Sequence, residues 1–140
     1  LDAKSIVVGR DMRLSSEEFA SAVIKGLTDA GVDVHDIGLC GTEMVYFATD
    51  FLKASGGIMV TASHNPADYN GLKFVREDAR PISADSGLVD IRRLAEHDQR
   101  MAAEKPGSIR HTSIFEDYIH HLLSYVDAKA LKPLKLVVNA

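Results

Sequence analysis

A hydroxyl beside an imidazole, with a proline three residues beyond the serine, is the most reactive grouping in this chain: Thr61-Ala62-Ser63-His64-Asn65-Pro66. It follows the short apolar run Ile58-Met59-Val60, so Ser63 sits on a loop at the exit of a predicted strand, where a rigid scaffold commonly displays reactive side chains. Pro66 fixes its own φ and pushes Asn65 out of the helical region. Asn70-Gly71 supplies a second sharp reversal, so the loop is held at both ends. A serine hydrolase is the first chemistry to test. His64 is the immediate neighbour of Ser63 and is badly placed to take its proton. Thr61 and Asn65 stand where a G-x-S-x-G elbow has glycines. No G-x-G-x-x-G or P-loop follows any strand. On spacing alone, a plain polar turn stays as good a reading as a site.

The surrounding pattern predicts what positions that loop. Residues 5–8 form a β-branched run closed by Gly9 and read as a buried strand. Ser15 or Ser16 can cap a helix, with Glu17 and Glu18 near its positive end; Phe19, Val23, Leu27 and Ala20, Ile24 form its apolar stripe, and Gly31 ends it. Residues 32–37 alternate as a second strand. Residues 42–53 suggest a helix with Val45, Ala48 and Leu52 on one side, broken by Gly56-Gly57 before a third strand at 58–60. Residues 72–75 return as a strand. Later come a helix at 87–96 through Leu88, Ile91, Leu94 and Ala95, a surface connection at 99–111, and a helix at 114–126 with Ile114, Tyr118, Leu122 and Val126 in one row. Pro133 then precedes a strand pattern at 134–138. The fold class expected is α/β, a mixed, largely parallel sheet with flanking helices. The expected division is one domain over 1–131, with 132–140 as linker and first strand of a second, truncated domain.

The 140 residues are 46% hydrophobic and 26% charged, the balance of an ordinary globular domain. Sixteen basic residues face twenty acidic ones, for a net charge of −4, and no Lys/Arg block stands out. A nucleic-acid partner therefore has no electrostatic basis. Cys40 is the single cysteine and cannot form an internal disulfide, which suits a reducing cytoplasm; it reads as a small apolar residue. No apolar stretch approaches the roughly 20 residues that cross a bilayer, so no membrane partner is expected. Residues 1–4 run into a strand without an apolar leader, and the first residue is Leu rather than Met, so a trimmed chain is expected.

The serine loop, continuing through Asp68-Tyr69-Asn70-Gly71 to Lys73, resembles the active-site loop of the α-D-phosphohexomutases. Val8-Gly9-Arg10-Asp11, with Arg13 and Ser15, is similar to that family's segment after its first strand. Gly41-Thr42-Glu43-Met44-Val45-Tyr46-Phe47-Ala48-Thr49 is more like the bacterial phosphomannomutases. The resemblance spans the whole chain and implies that it is the first domain of such an enzyme. It implies an intramolecular phosphotransferase in which phosphoserine at Ser63 interconverts hexose 6-phosphate and hexose 1-phosphate through a bound hexose 1,6-bisphosphate. The physical demand is to position and neutralise a group of about −1.5 to −2 charge.

The same resemblance implies roles for neighbours. Lys73 would be a cation near the phosphate and help move a proton at the sugar hydroxyl. His64 is either a hydrogen-bond donor to phosphate and acid/base partner, or a residue that stabilises the loop. Asn65 shapes the turn or touches substrate. Arg10 and Arg13 would add positive field at the phosphate, with Asp11 orienting one of them; the competing reading is a salt bridge pinning the first strand-to-helix turn. A magnesium ion (Mg2+) would take one ligand from here, the phosphate oxygen of Ser63, and the others from a carboxylate loop that this sequence lacks. His35, His97, His111, His120 and His121 have no metal-ligand spacing. Domains II–IV of the same polypeptide are the implied partners, so the chain alone is expected not to turn over substrate. Mannose is the sugar favoured. A phosphoglucomutase, a phosphoglucosamine mutase, or a non-catalytic α/β binding module are the alternatives.

Overall fold

A computed structural model describes residues 3–97 and 102–139. The elements run β1 (Ser5–Arg10), α1 (Ser16–Asp29), β2 (Asp33–Leu39), α2 (Thr42–Phe51), β3 (Gly56–Val60), β4 (Leu72–Arg76), α3 (Leu88–Glu96), β5 (Ile109–His111) and α4 (Phe115–Leu123). One five-stranded sheet has the order β4-β3-β1-β2-β5. β1 lies parallel to both β2 and β3, and β5 parallel to β2, while β4 turns back antiparallel on β3. The expected mixed, largely parallel sheet with flanking helices is what forms.

Side-chain alternation along β1 explains the layering. Val7 faces one side and packs with Val45 and Ala48 of α2, Met59 and Ile114. Val8 faces the other side and packs with Ala20 of α1, Val34 and Val60. Both valines are fully buried. A β-branched strand covered on two faces is what a continuous apolar run encodes. The chain leaves β1 for β2 on one flank and reaches β3 on the other. The crevice beyond the carboxyl ends of β1 and β3 is therefore the switch point where open α/β sheets bind ligands. The serine loop leaves β3 there.

Several expectations need correction. Phe19 lies off the buried stripe of α1, about half exposed. Neither Ser15 nor Ser16 caps that helix with its side chain; both hydroxyls are engaged elsewhere. Gly31 does end it, at φ +81°. The Gly56-Gly57 pair does not break α2, which has already stopped at Phe51. Both glycines lie inside β3, because a Cβ on Gly57 would sit within 2.3 Å of the Thr49 hydroxyl and one on Gly56 within 2.6 Å of the Val75 carbonyl. The connection expected at 99–111 ends in β5, which completes the edge beside Val34 and Asp36; residues 99–101 lie outside the described ones. Residues 134–138 join no ladder among the described strands and are exposed throughout. A strand needs a neighbour to satisfy its amides, and none is described beside it.

Candidate functional site

The loop after β3 is closed at its base by backbone and side chain together. Thr61 N–H donates to the Gly71 carbonyl at 2.9 Å, and Gly71 N–H to the Asn70 side-chain oxygen at 2.8 Å. Within it, Asn65 N–H donates to the Ala62 carbonyl and Tyr69 N–H to the Pro66 carbonyl, each at 3.1 Å. Asn70 also donates to both Ser15 Oγ (2.9 Å) and Ser16 Oγ (3.0 Å), which ties the loop to the start of α1. Ser63 takes φ +55°, the left-handed region uncommon for a residue with a side chain. Such a conformation costs roughly 1–3 kcal/mol and persists only where its surroundings enforce it.

Arg13 enforces it. Its Nη2 donates to the Ser63 carbonyl at 2.9 Å and the Asn65 carbonyl at 2.8 Å; its Nη1 donates to the Pro66 carbonyl at 2.6 Å and the Tyr69 carbonyl at 3.1 Å. Nε donates to Asp11 at 3.2 Å. A guanidinium has five N–H donors, and all five are engaged. The bonds to the Ser63 and Asn65 carbonyls offset that left-handed penalty. Of the two readings expected for Arg13, the salt bridge to Asp11 after β1 is present; beyond it, the guanidinium braces the loop carbonyls and has no donor left for phosphate.

Asp11 is the counterpart. It accepts from Ser16 Oγ (2.6 Å), Thr61 Oγ1 (2.8 Å) and the Arg13 backbone N–H (3.2 Å). Thr61 Oγ1 in turn accepts from Ser63 N–H at 2.8 Å. Burial alone pushes the Asp11 carboxyl upward. The bonds from Ser16, Thr61 and Arg13, with the Arg13 charge, outweigh it and hold the group below its ordinary 3.8. A carboxylate whose folded pKa is depressed contributes stability that is full above the unfolded pKa and is lost as pH falls through the folded one. Acid titration of the melting temperature is expected to show this loss below about pH 3.8. Asp11→Asn is expected to be less stable at neutral pH and to lose less on acidification. An acid limb identical in the two proteins would contradict the assignment.

Ser63, His64 and Asn65 are all exposed, and among the described residues neither the Ser63 hydroxyl nor the His64 ring has a hydrogen-bond partner. Asn65 shapes the turn through its backbone. Lys73 lies on β4 opposite Met59, half-buried, and its amine makes no hydrogen bond or ion pair among the described residues. Arg10 points to the α1 side of the sheet, where Nε meets Glu17 at 2.5 Å and Nη1 meets Asp36 at 3.3 Å. It supports the strand ends by ion pairing and makes no bond to the serine loop. Burial pushes the Cys40 thiol up to about 11, which suits its reading as an unreactive packing residue. No three His, Cys, Asp or Glu side chains converge on a possible metal position among the described residues.

The residues missed in the sequence are those that hold the serine: Thr61, Ser16 and Asn70, with Ser15. Their types were visible, but Thr61 and Asn70 read as loop and Ser15-Ser16 as a cap. Asn70 meets its partners across 54 and 55 positions of chain.

Comparison with known proteins gives the family of the chain that carries this exposed serine. Residues 1–100 match the family model described as phosphoglucomutase/phosphomannomutase, alpha/beta/alpha domain I. The chain belongs to the phosphoglucomutase/phosphomannomutase family. A phosphomannomutase of Vibrio cholerae is 51% identical over 137 residues, covering 98% of this chain and 30% of its own. A Xanthomonas campestris protein named for phosphohexose mutases is 56% identical over 140 residues, all of this chain and 31% of its own. A solved structure of a phosphoglucomutase/phosphomannomutase family protein from Burkholderia thailandensis superposes with a TM-score of 0.75 at 30% identity, covering 86% of this chain and 27% of that one. The chain therefore spans about 30% of the length of the curated relatives it matches. Within this family domain, no described helix is long and apolar enough to cross a membrane.

Proposed function

We propose that this chain is the phosphoserine-bearing part of a longer phosphohexomutase that interconverts hexose 6-phosphate and hexose 1-phosphate, with mannose as the sugar. The observation that carries the reading is a divided serine: its backbone is fixed from both sides while its hydroxyl is exposed and without a partner among the described residues. A residue built only for the turn would have its hydroxyl engaged within it, as Thr61 does by accepting from Ser63 N–H. The name of the Vibrio cholerae relative supports mannose; the broader name of the Xanthomonas relative supports the hexose class.

In the proposed cycle a sugar hydroxyl oxygen attacks the phosphoryl group on Ser63. The phosphorus–Oγ bond breaks as the new phosphorus–oxygen bond forms, and the hydroxyl proton leaves to a base. The resulting 1,6-bisphosphate turns over, and Ser63 Oγ takes back the other phosphoryl group. Ser63 is the nucleophile of the second half and the leaving group of the first. Lys73 and His64 supply charge and proton transfer at the sugar oxygen; that neither has a side-chain partner among the described residues leaves both open to substrate. A magnesium ion beside the phosphate would neutralise charge. Of its ligands this chain offers the Ser63 phosphate oxygen alone, since Asp11, the carboxylate bonded into the loop, is already taken by Arg13, Thr61 and Ser16. The sugar contacts and the other metal ligands are assigned to further domains of the same polypeptide, so the isolated chain is proposed to be inactive. The exposed segment 134–138 is proposed to enter the next domain's sheet, and the single cysteine supports a cytoplasmic setting.

Incubating the full-length polypeptide with mannose 1,6-bisphosphate is expected to add one phosphate, located on Ser63 by peptide mass. Unlabelled Ser63 would favour a binding module.

A further inference from the structure

We infer that Arg13, backed by Asp11, is the positioning residue of the serine loop, setting the rate of phosphoryl transfer by fixing the Ser63 backbone without touching substrate. The inference rests on the reading of Ser63 as phosphoryl carrier, and goes beyond it by assigning a dedicated device to the loop. One guanidinium reaches four carbonyls, those of Ser63, Asn65, Pro66 and Tyr69, across 50 to 56 positions of chain. Those carbonyls belong to the turn that carries the reactive hydroxyl, on both sides of Pro66. The guanidinium is itself oriented by Asp11 through Nε, and Asp11 holds Thr61, whose hydroxyl caps the Ser63 amide. The Ser63 peptide is thereby gripped at its N–H through Thr61 and at its carbonyl through Arg13. The Arg13 side chain is only 13% exposed although the loop residues it holds are exposed, and the brace needs no ligand to form.

An arginine with all five donors on peptide and carboxylate has no affinity to offer a phosphate or a sugar. Its removal must therefore appear in the transfer step and not in sugar affinity. Lysine cannot replace it: one ammonium with three donors cannot span four carbonyls in the plane that the guanidinium fork occupies. A small displacement of a reacting group is enough to slow transfer steeply.

The test uses the full-length polypeptide, loaded with labelled phosphate at Ser63 from mannose 1,6-bisphosphate and mixed with mannose 6-phosphate in a single turnover. Arg13→Lys is expected to lower the rate constant on the order of 10–100-fold, with the half-saturating sugar concentration within about 2-fold of wild type. Asp11→Asn, which keeps shape and removes charge, is expected to give a smaller fall of the same kind, on the order of 3–10-fold. A merely structural role would reduce the fraction of molecules that react and leave the rate constant of the survivors unchanged. If Arg13→Lys does not fold, Asp11→Asn decides. Rate constants at the wild-type value, or a rise in half-saturation alone, would overturn the inference. A wild-type protein that takes up no label at Ser63 refutes the phosphoserine reading instead, which keeps the two failures apart.

Discussion

Replacing Ser63 by alanine in the full-length polypeptide is expected to lower mutase turnover by about 10⁴-fold or more, while the folded structure survives. Both halves of that result follow from the geometry. The exposed hydroxyl has no protein partner among the described residues, so removing it leaves no buried group there unsatisfied. The loop is held by the Ser63 carbonyl and amide, which alanine keeps. The left-handed φ of +55° is no easier for alanine, so a loss of roughly 1 kcal/mol is the ceiling expected for stability. Chemistry has no such reserve. The proposed cycle parks the phosphoryl group on one oxygen, and neither alanine nor glycine replaces it. Ser63→Gly serves as the control: it relieves the left-handed strain, and is expected to match alanine in activity while equalling or exceeding wild type in melting temperature. Mutase rates and thermal melts of the two variants check both parts.

The second large effect is expected at Lys73. Lys73→Met keeps the length of the side chain on β4 and removes the amine, and turnover of the full-length enzyme is expected to fall on the order of 10²–10⁴-fold, the usual scale for a positioned proton-transfer group. The site of the change is mild structurally. Lys73 is half-buried opposite Met59 and has no bond to lose among the described residues. The expected fall follows from the proposed role of Lys73 at the sugar oxygen; Lys25 and Lys53, by contrast, meet Asp29 and Asp50 in surface ion pairs. Lys73→Arg separates the two roles. If the side chain acts as a cation toward phosphate, arginine restores most of the rate; if it carries a proton, arginine does not, because a guanidinium stays protonated. Steady-state rates at saturating sugar phosphate and bisphosphate distinguish these outcomes.

The elements that position the site were legible wherever the sequence punctuates itself. A β-branched run closed by Gly9 gave β1, the short apolar run Ile58-Met59-Val60 gave β3, and apolar stripes at helical spacing gave α1 and α2. The serine loop was legible because Pro66 and Asn70-Gly71 mark its turns. β5 was not, because Ile109-Arg110-His111 has no pattern of its own and becomes a strand only against Val34 to Asp36. The glycines of β3 misled because a local reading sees flexibility where the fold needs close approach to Thr49 and Val75. The brace on Ser63 was hidden for a similar reason. Arg13 was visible as a cation or a salt-bridge partner, but four of its bonds go to backbone carbonyls 50 to 56 residues away, and carbonyls carry no sequence signal. The two serines at the start of α1 fit the expectation for caps, yet Asn70 and Asp11 outcompete the helix for their hydroxyls.

The central claim is that one exposed oxygen lends phosphate to a sugar and takes it back. The direct measurement is a chase: full-length protein carrying labelled phosphate on Ser63 is mixed with unlabelled mannose 6-phosphate and quenched within one turnover. The label is expected to leave Ser63 and appear in mannose 1,6-bisphosphate at a rate no slower than steady-state turnover. Label that stays on Ser63 while hexose phosphates interconvert at full speed would contradict the account.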